Sequence, residues 1–201
     1  MPPTARPPAI GTDADYPDYI TNLQLTVLDL QLKNVIVNNA IEHYRRHRWD
    51  EIRTLQNLQE ALARFPDDRE GNRHAARYLW GYLYGDRLGR LRDLANWMDD
   101  QGIVDQDRLR AWAHTSHATD FVGQIKGLGP AAYAWLVMRL GVDTVKPDLW
   151  IHRFTQQAIG RDLDDTTLVD AITEAAHRVG RQARELDGAI WEMMRGEAGA
   201  I

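Results

Sequence analysis

Among the 201 residues of this chain, the most constraining stretch is the turn Gly127-Leu128-Gly129-Pro130 together with the helical pattern that it opens. Two glycines around one leucine permit a tight turn through backbone angles that other residues avoid. Pro130 suits the first turn of a helix, where its missing N–H has no partner to lose. Ala131 to Leu140 supplies that helix, and Gly141 is placed to end it. After a short extended piece, Asp143 to Lys146, Pro147-Asp148 precedes Leu149, Trp150, Ile151 and Phe154 at helical spacing. A glycine turn that opens a helix presents free backbone N–H groups at the positive end of the helix dipole, which suits a phosphate. An aspartate that opens the next helix has its carboxylate steadied by that helix's own N–H groups. The two features lie about one helix length apart along the chain. On local pattern alone, the same residues also make an ordinary turn and an ordinary cap.

The remainder reads as helices. Leu23, Val27 and Leu30, then Ile36, Val37, Ala40, Ile41 and Tyr44, fit one long helix or two, although Leu23, Leu25 and Val27 also alternate as in a strand. Trp49 to Phe65 carries a helical stripe stopped by Pro66, and Asp68 or Asn72 could cap the next helix, which runs through Leu79, Trp80 and Leu83 to Gly85. Asp86 to Asp100 and the shorter Asp105 to His114 follow. Beyond the central stretch, Asp165 precedes Leu168, Ile172, Ala175 and Val179, with Gly180 ending that helix; the last one carries Leu186, Ile190, Met193 and Met194. No strand set and no internal repeat emerge, so the expectation is an all-α protein of about nine or ten helices. Residues 1–18 hold five of the eight prolines and read as a flexible or extended tail, leaving 19–201 as one helical domain.

The central arrangement resembles the helix-hairpin-helix DNA glycosylase superfamily, whose hairpin reads roughly L-P-G-V-G-x-K-T-A and is followed about twenty residues later by V-D-T-H-V-x-R. Here the hairpin is Ile125-Lys126-Gly127-Leu128-Gly129-Pro130-Ala131-Ala132-Tyr133-Ala134, and the later motif is Lys146-Pro147-Asp148-Leu149-Trp150-Ile151-His152-Arg153. The resemblance implies a two-lobed helical DNA glycosylase-like fold, with hairpin and catalytic aspartate at the cleft between the lobes. Asp148 falls on the catalytic aspartate and Arg153 on the family's arginine. Lys126, Gly127, Leu128, Gly129 and Arg153 would face DNA. Trp150 would line the pocket for the extruded base, and Asn39, beside Asn38, is the nearest candidate for a residue entering the gap that the base leaves. The partner would be double-stranded DNA with a damaged or modified base, the protein a monomer, and the reaction hydrolysis of the N-glycosyl bond. Lyase members carry their Schiff-base lysine where this chain has Ala131, which disfavours strand cutting; Lys146, two residues before Asp148, stays open as an alternative amine. A monovalent cation on the hairpin carbonyls is known in the family and would be structural.

Composition bounds these readings. The chain has no cysteine, which excludes disulfides, Cys nucleophiles and the four-cysteine iron–sulfur cluster of some members of that superfamily. No apolar run is long enough to span a membrane and no signal peptide is evident, so a cytoplasmic location is expected. The formal net charge of −5 runs against the basic footprint usual in DNA binders, although a local basic face can coexist with an acidic total. Lysines number three against twenty-one arginines, and two of the three, Lys126 and Lys146, flank the central motif. Arg45, Arg46, His47 and Arg48 form a basic run that reads as a phosphate contact or as a solvated face. His43 with His47, and His114 with His117 and Asp120, have helical spacing, but neither set has a ligand neighbourhood that implies a metal. Trp150 reads equally as a base-stacking surface and as core. Without catalysis, the same turn describes a helix-hairpin-helix DNA-binding module.

Overall fold

The computed structural model describes residues 18–30 and 32–198. Among them are eleven helices and no strand: α1 Tyr19–Leu28, α2 Asn34–His47, α3 Leu55–Ala63, α4 Arg69–Trp80, α5 Gly85–Asp100, α6 Gln106–Thr115, α7 Ala118–Phe121, α8 Pro130–Met138, α9 Leu149–Ile159, α10 Asp165–Arg178 and α11 Ala183–Ala198. The protein is all-α. The helices fall into two compact units, one of α1–α6 with Gln124–Gly127, the other of Ser116–Gly123 with the chain from Leu128 onward. The tail expected over 1–18 lies outside the described residues except for Asp18, which caps α1 through a bond from the Thr21 N–H at 3.1 Å.

The first unit is built around α1, all ten residues of which are buried. A helix that is enclosed on every side shows no amphipathic stripe, which is why its Leu23, Leu25 and Val27 could be mistaken for strand alternation. Two internal bonds involve its polar residues: the Trp80 indole N–H donates to Gln24 Oε1 at 2.8 Å, and Thr26 Oγ1 donates to the Asn22 carbonyl at 2.8 Å. α5 packs against α1, α3 and α4, and α2 packs against α1 and α4. The first apolar region is two helices, broken between Asp29 and Lys33.

Several boundaries differ from the sequence expectation, each for a local reason. α3 starts at Leu55 rather than near Trp49, because Thr54 caps it by accepting from the Asn57 N–H at 3.1 Å. α4 is capped by Asp68, while Asn72 is buried inside it and accepts from Arg92 at 2.8 Å. The same helix stops at Trp80 instead of reaching Gly85, since Gly81 takes a left-handed φ of 75°. α10 begins at Asp165, with Asp164 as its cap accepting from the Thr167 N–H at 3.0 Å.

In the second unit, α11 packs against α9 and α10. Its core is Val145, Ile151, Leu168, Ile172, Ala176, Ala183, Ile190 and Met194. The extended stretch between α8 and α9 is bound to α11 at two points. The Asp143 carboxylate accepts from the N–H groups of Ala183 and Arg184 at 3.2 and 3.1 Å, capping that helix from 40 residues away. In return, Asp187 on α11 accepts the Lys146 N–H at 3.0 Å. The strap leads directly into Asp148 and α9.

Candidate functional site

The glycine turn has one demanding position. Gly127 has φ +86°, a conformation that side chains resist, and a Cβ there would sit 2.8 Å from Arg90 Nε. Gly129 differs from expectation: at φ −101° it occupies ordinary extended backbone, and nothing lies within 4 Å of a Cβ placed on it. Its place as N-cap of α8 is what remains: no side chain caps that end, Pro130 has no N–H, and the Ala132 and Tyr133 N–H groups donate to the Gly129 carbonyl at 3.0 and 3.1 Å, so the Ala131 N–H is the one in this turn left open to a ligand. Pro130 occupies the first helical turn, as its chemistry dictates. Lys126 and Gly127 are exposed, whereas the Leu128 side chain is only 2% exposed. Leu128 can therefore meet a ligand only through its backbone.

Asp148 is the N-cap of α9. Its Oδ1 accepts from the N–H groups of Trp150 at 2.9 Å and Ile151 at 3.3 Å. Its Oδ2 lies 3.6 Å from Lys146 Nζ, and the two side chains are 20% and 24% exposed. The Lys146 ammonium also stands 5.1 Å from the centre of the Trp135 ring. Although it starts on the extended piece, this lysine is folded back onto the carboxylate. The amine that sequence spacing left as an alternative is thus beside Asp148.

Asp187 completes the group, and the pattern of carboxylates in the sequence did not single it out. Burial, with the nearby Asp148 charge adding to it, pushes its pKa up to about 6, against the opposing pull of the Lys146 N–H and ammonium. One signal was available: Asp187 precedes the buried Ile190 and Met194 by three and seven residues, which places a carboxylate on the apolar stripe of α11.

The remaining expected residues are more dispersed. Trp150 packs partly against the core of the second unit, and the exposed Arg153 holds its guanidinium 5.4 Å from the Trp150 ring centre. Asn39 lies on the exposed face of α2, in the first unit. From the basic run, Arg46 pairs with Glu42, and Arg48 donates to the Tyr78 carbonyl while stacking on the Tyr78 ring. His43 and His47 stack with ring centres 4.6 Å apart, and the Asp120 carboxylate accepts the His117 N–H. Among the described residues no three His, Cys, Asp or Glu side chains gather as metal ligands would, and no helix is long and apolar enough to cross a membrane.

An all-helical chain with an uncapped helix start after a glycine turn, and a carboxylate–ammonium pair at the start of the next helix, is the class defined by these features. Within that class, the chain belongs to the family described as "Domain of unknown function (DUF8548)", whose model matches residues 36–195. No curated protein and no solved structure matches it.

Two stability measurements check this geometry. Gly127→Ala should cost about 1–2 kcal/mol in urea unfolding, because a Cβ is strained at that φ and meets Arg90, while Gly129→Ala should stay within about 0.5 kcal/mol. Equal costs at the two glycines would contradict the assignment of the turn to Gly127. Asp187 should make stability fall with rising pH. Its folded pKa of about 6 exceeds the usual carboxyl value, so the folded state keeps a proton that the unfolded state releases, and stability drops from about pH 4 to pH 6. Asp187→Asn should remove that dependence and gain about 2 kcal/mol above pH 6 and nothing below pH 4, given about 1.4 kcal/mol per pK unit and partial exposure. A gain that is the same at pH 3.5 and pH 7.5 would mean the carboxyl is not perturbed.

Proposed function

We propose that this protein is a monofunctional DNA N-glycosylase that removes a damaged or modified base. One observation carries the reading: Asp148 stands at the N-terminus of the helix that follows the hairpin helix, in the motif position of the superfamily's catalytic aspartate, held by two backbone N–H groups and a lysine. A carboxylate fixed in this way needs no reorganisation to stabilise positive charge on a sugar. As the glycosidic C–N bond breaks, the base leaves with the bonding pair, water adds to the sugar carbon, and the proton that the water gives up is balanced by the one the released base takes up. Asp148 would favour the cationic stage and orient the water. The turn at Lys126, Gly127, Leu128 and Gly129 would hold the backbone through N–H groups, and the target nucleotide would be turned out of the duplex. Arg153 would add a phosphate contact, and Trp150 would offer its accessible edge to the base. Asn39 is proposed for the space the base vacates. No redox cofactor is required, and a monovalent cation on the hairpin carbonyls would only stiffen the turn.

A second reading, a non-catalytic helix-hairpin-helix DNA-binding protein, is favoured by the completeness of the Asp148 contacts. Cap and ion pair together account for both carboxylate oxygens without any substrate.

Base release from a panel of lesion-bearing duplexes separates the two. The wild-type protein should release one class of base, leaving an abasic site that is cut only in hot alkali, and borohydride should trap no adduct. Asp148→Asn should lower release by about 100-fold or more. It should retain fold and binding to abasic-site duplex within about tenfold, since asparagine caps a helix about as well as aspartate. Duplex binding without release from any lesion establishes the second reading. A trapped adduct that vanishes in Lys146→Ala would move the chemistry to an imine on Lys146.

A further inference from the structure

The first unit contains a cavity of about 710 Å³ lined by four arginines, Arg69, Arg73, Arg87 and Arg90, against one aspartate, Asp86. This imbalance sits in a chain whose formal net charge is −5. An adjoining cavity of about 400 Å³ shares Arg69 and Arg90 and adds Lys126, with Asp93 as its further acid. The arginines come from neighbouring helices at same-face spacings: Arg69 and Arg73 are four apart on α4, and Arg87 and Arg90 are three apart on α5.

Their partners differ. Arg87 is a brace, donating to the carbonyls of Val27 and Leu30 at the end of α1. Arg69, Arg73 and Arg90 carry no hydrogen bond or ion pair within the described residues, and Arg90 is half-buried. Burial and the Arg90 charge both push the Arg87 pKa down, as expected for guanidinium groups gathered without enough counter-charge. At the same wall α5 begins after Tyr84 with no side-chain cap, so its first N–H groups add to the positive potential. The wall is not wholly polar: Leu30, Leu32, Leu83 and Tyr84 also line it, and Leu83 is 49% exposed. Finally, Gly127 lines the cavity and Arg90 lies against its backbone.

We infer that this cavity is a second phosphate site, taking a phosphodiester of the same DNA strand whose neighbouring phosphate lies on the turn at Lys126 and Gly127. The inference rests on the reading of the turn given under Proposed function and extends its contact surface from one phosphate to a track. Guanidinium groups suit the purpose, because their planar donors meet two phosphate oxygens at once, and the leucines and Tyr84 give the sugar an apolar surface. Arg90, which borders both cavities and packs on the glycine turn, links the two phosphates.

Salt-dependent binding to an abasic-site duplex tests this with the full chain. Arg69→Gln/Arg73→Gln removes two cations that have no structural partner and leaves the turn untouched. The double variant should lower the slope of log affinity against log salt by about 1, the contribution of one phosphate, and weaken binding roughly tenfold near 0.1 M salt. Arg90→Gln alone, checked for an unchanged melting temperature, should lower the slope by about 1. If the wild-type binds duplex and Lys126→Gln weakens it, while the arginine variants keep the wild-type affinity and slope, the cavity is not on the DNA path and the turn alone is the grip. If the wild-type binds no duplex, the inference and the function on which it rests both fail. Binding of a free nucleoside monophosphate that the double variant loses, with duplex affinity unchanged, would also overturn the assignment to a strand.

Discussion

Two aspartates hold the extended stretch between α8 and α9, and the chemistry proposed for the second unit hangs from that strap. Asp143 reaches forward to cap α11, and Asp187 on α11 reaches back to the Lys146 N–H. Between those anchors the chain is straightened, so Asp148 arrives at the start of α9 with its carboxylate already on the Trp150 and Ile151 N–H groups. Each contact is a modest bond. Together they fix a carboxylate and an ammonium side by side without relying on the rotamer freedom of either chain. The arrangement also places a second carboxylate, with a raised pKa, against the peptide that carries Lys146. Asp187 alone therefore gives the site a charge that changes around pH 6.

Charge distribution eases the tension between an acidic chain and the anionic partner proposed for it. The total of −5 is an average over a surface on which arginines are gathered in one place. A phosphate track built from a few unpaired guanidinium groups and open helix N-termini needs no basic total. Elsewhere the cations are spent on the fold: Arg87 braces α1, Arg92 binds Asn72 and the Phe65 carbonyl, and Arg48 stacks on Tyr78.

What could be read from sequence was what is decided locally. The helical stripes, Asp68 as a cap, Pro130 at a helix start and Asp148 before α9 all depend on residues within one turn of each other. Features left ambiguous or misplaced had two local choices of similar quality, as with Asp68 against Asn72, or Gly81 against Gly85. The buried α1 lacked any stripe to read, because its environment is apolar on all sides. Asp187 was legible only as a carboxylate on an apolar stripe, and the arginine cavity was not legible at all. The first meets its partner across 41 residues, and the second exists only where α4 and α5 lie side by side. The direction of Lys146 was not legible for the same reason: it is set by Trp135 and Asp148 together, not by the extended backbone from which it starts.

On this reading, the glycine turn and the uncapped start of α8 grip a DNA phosphate through backbone N–H groups. Amide chemical shifts, followed by NMR while a duplex with an abasic-site analogue is added, report on those groups directly. The amides of Gly127, Leu128, Gly129 and Ala131 should shift early and in parallel, with downfield proton movement as each N–H meets an anionic oxygen. Saturating shifts confined to other surfaces, with these four amides unmoved, would contradict the phosphate grip.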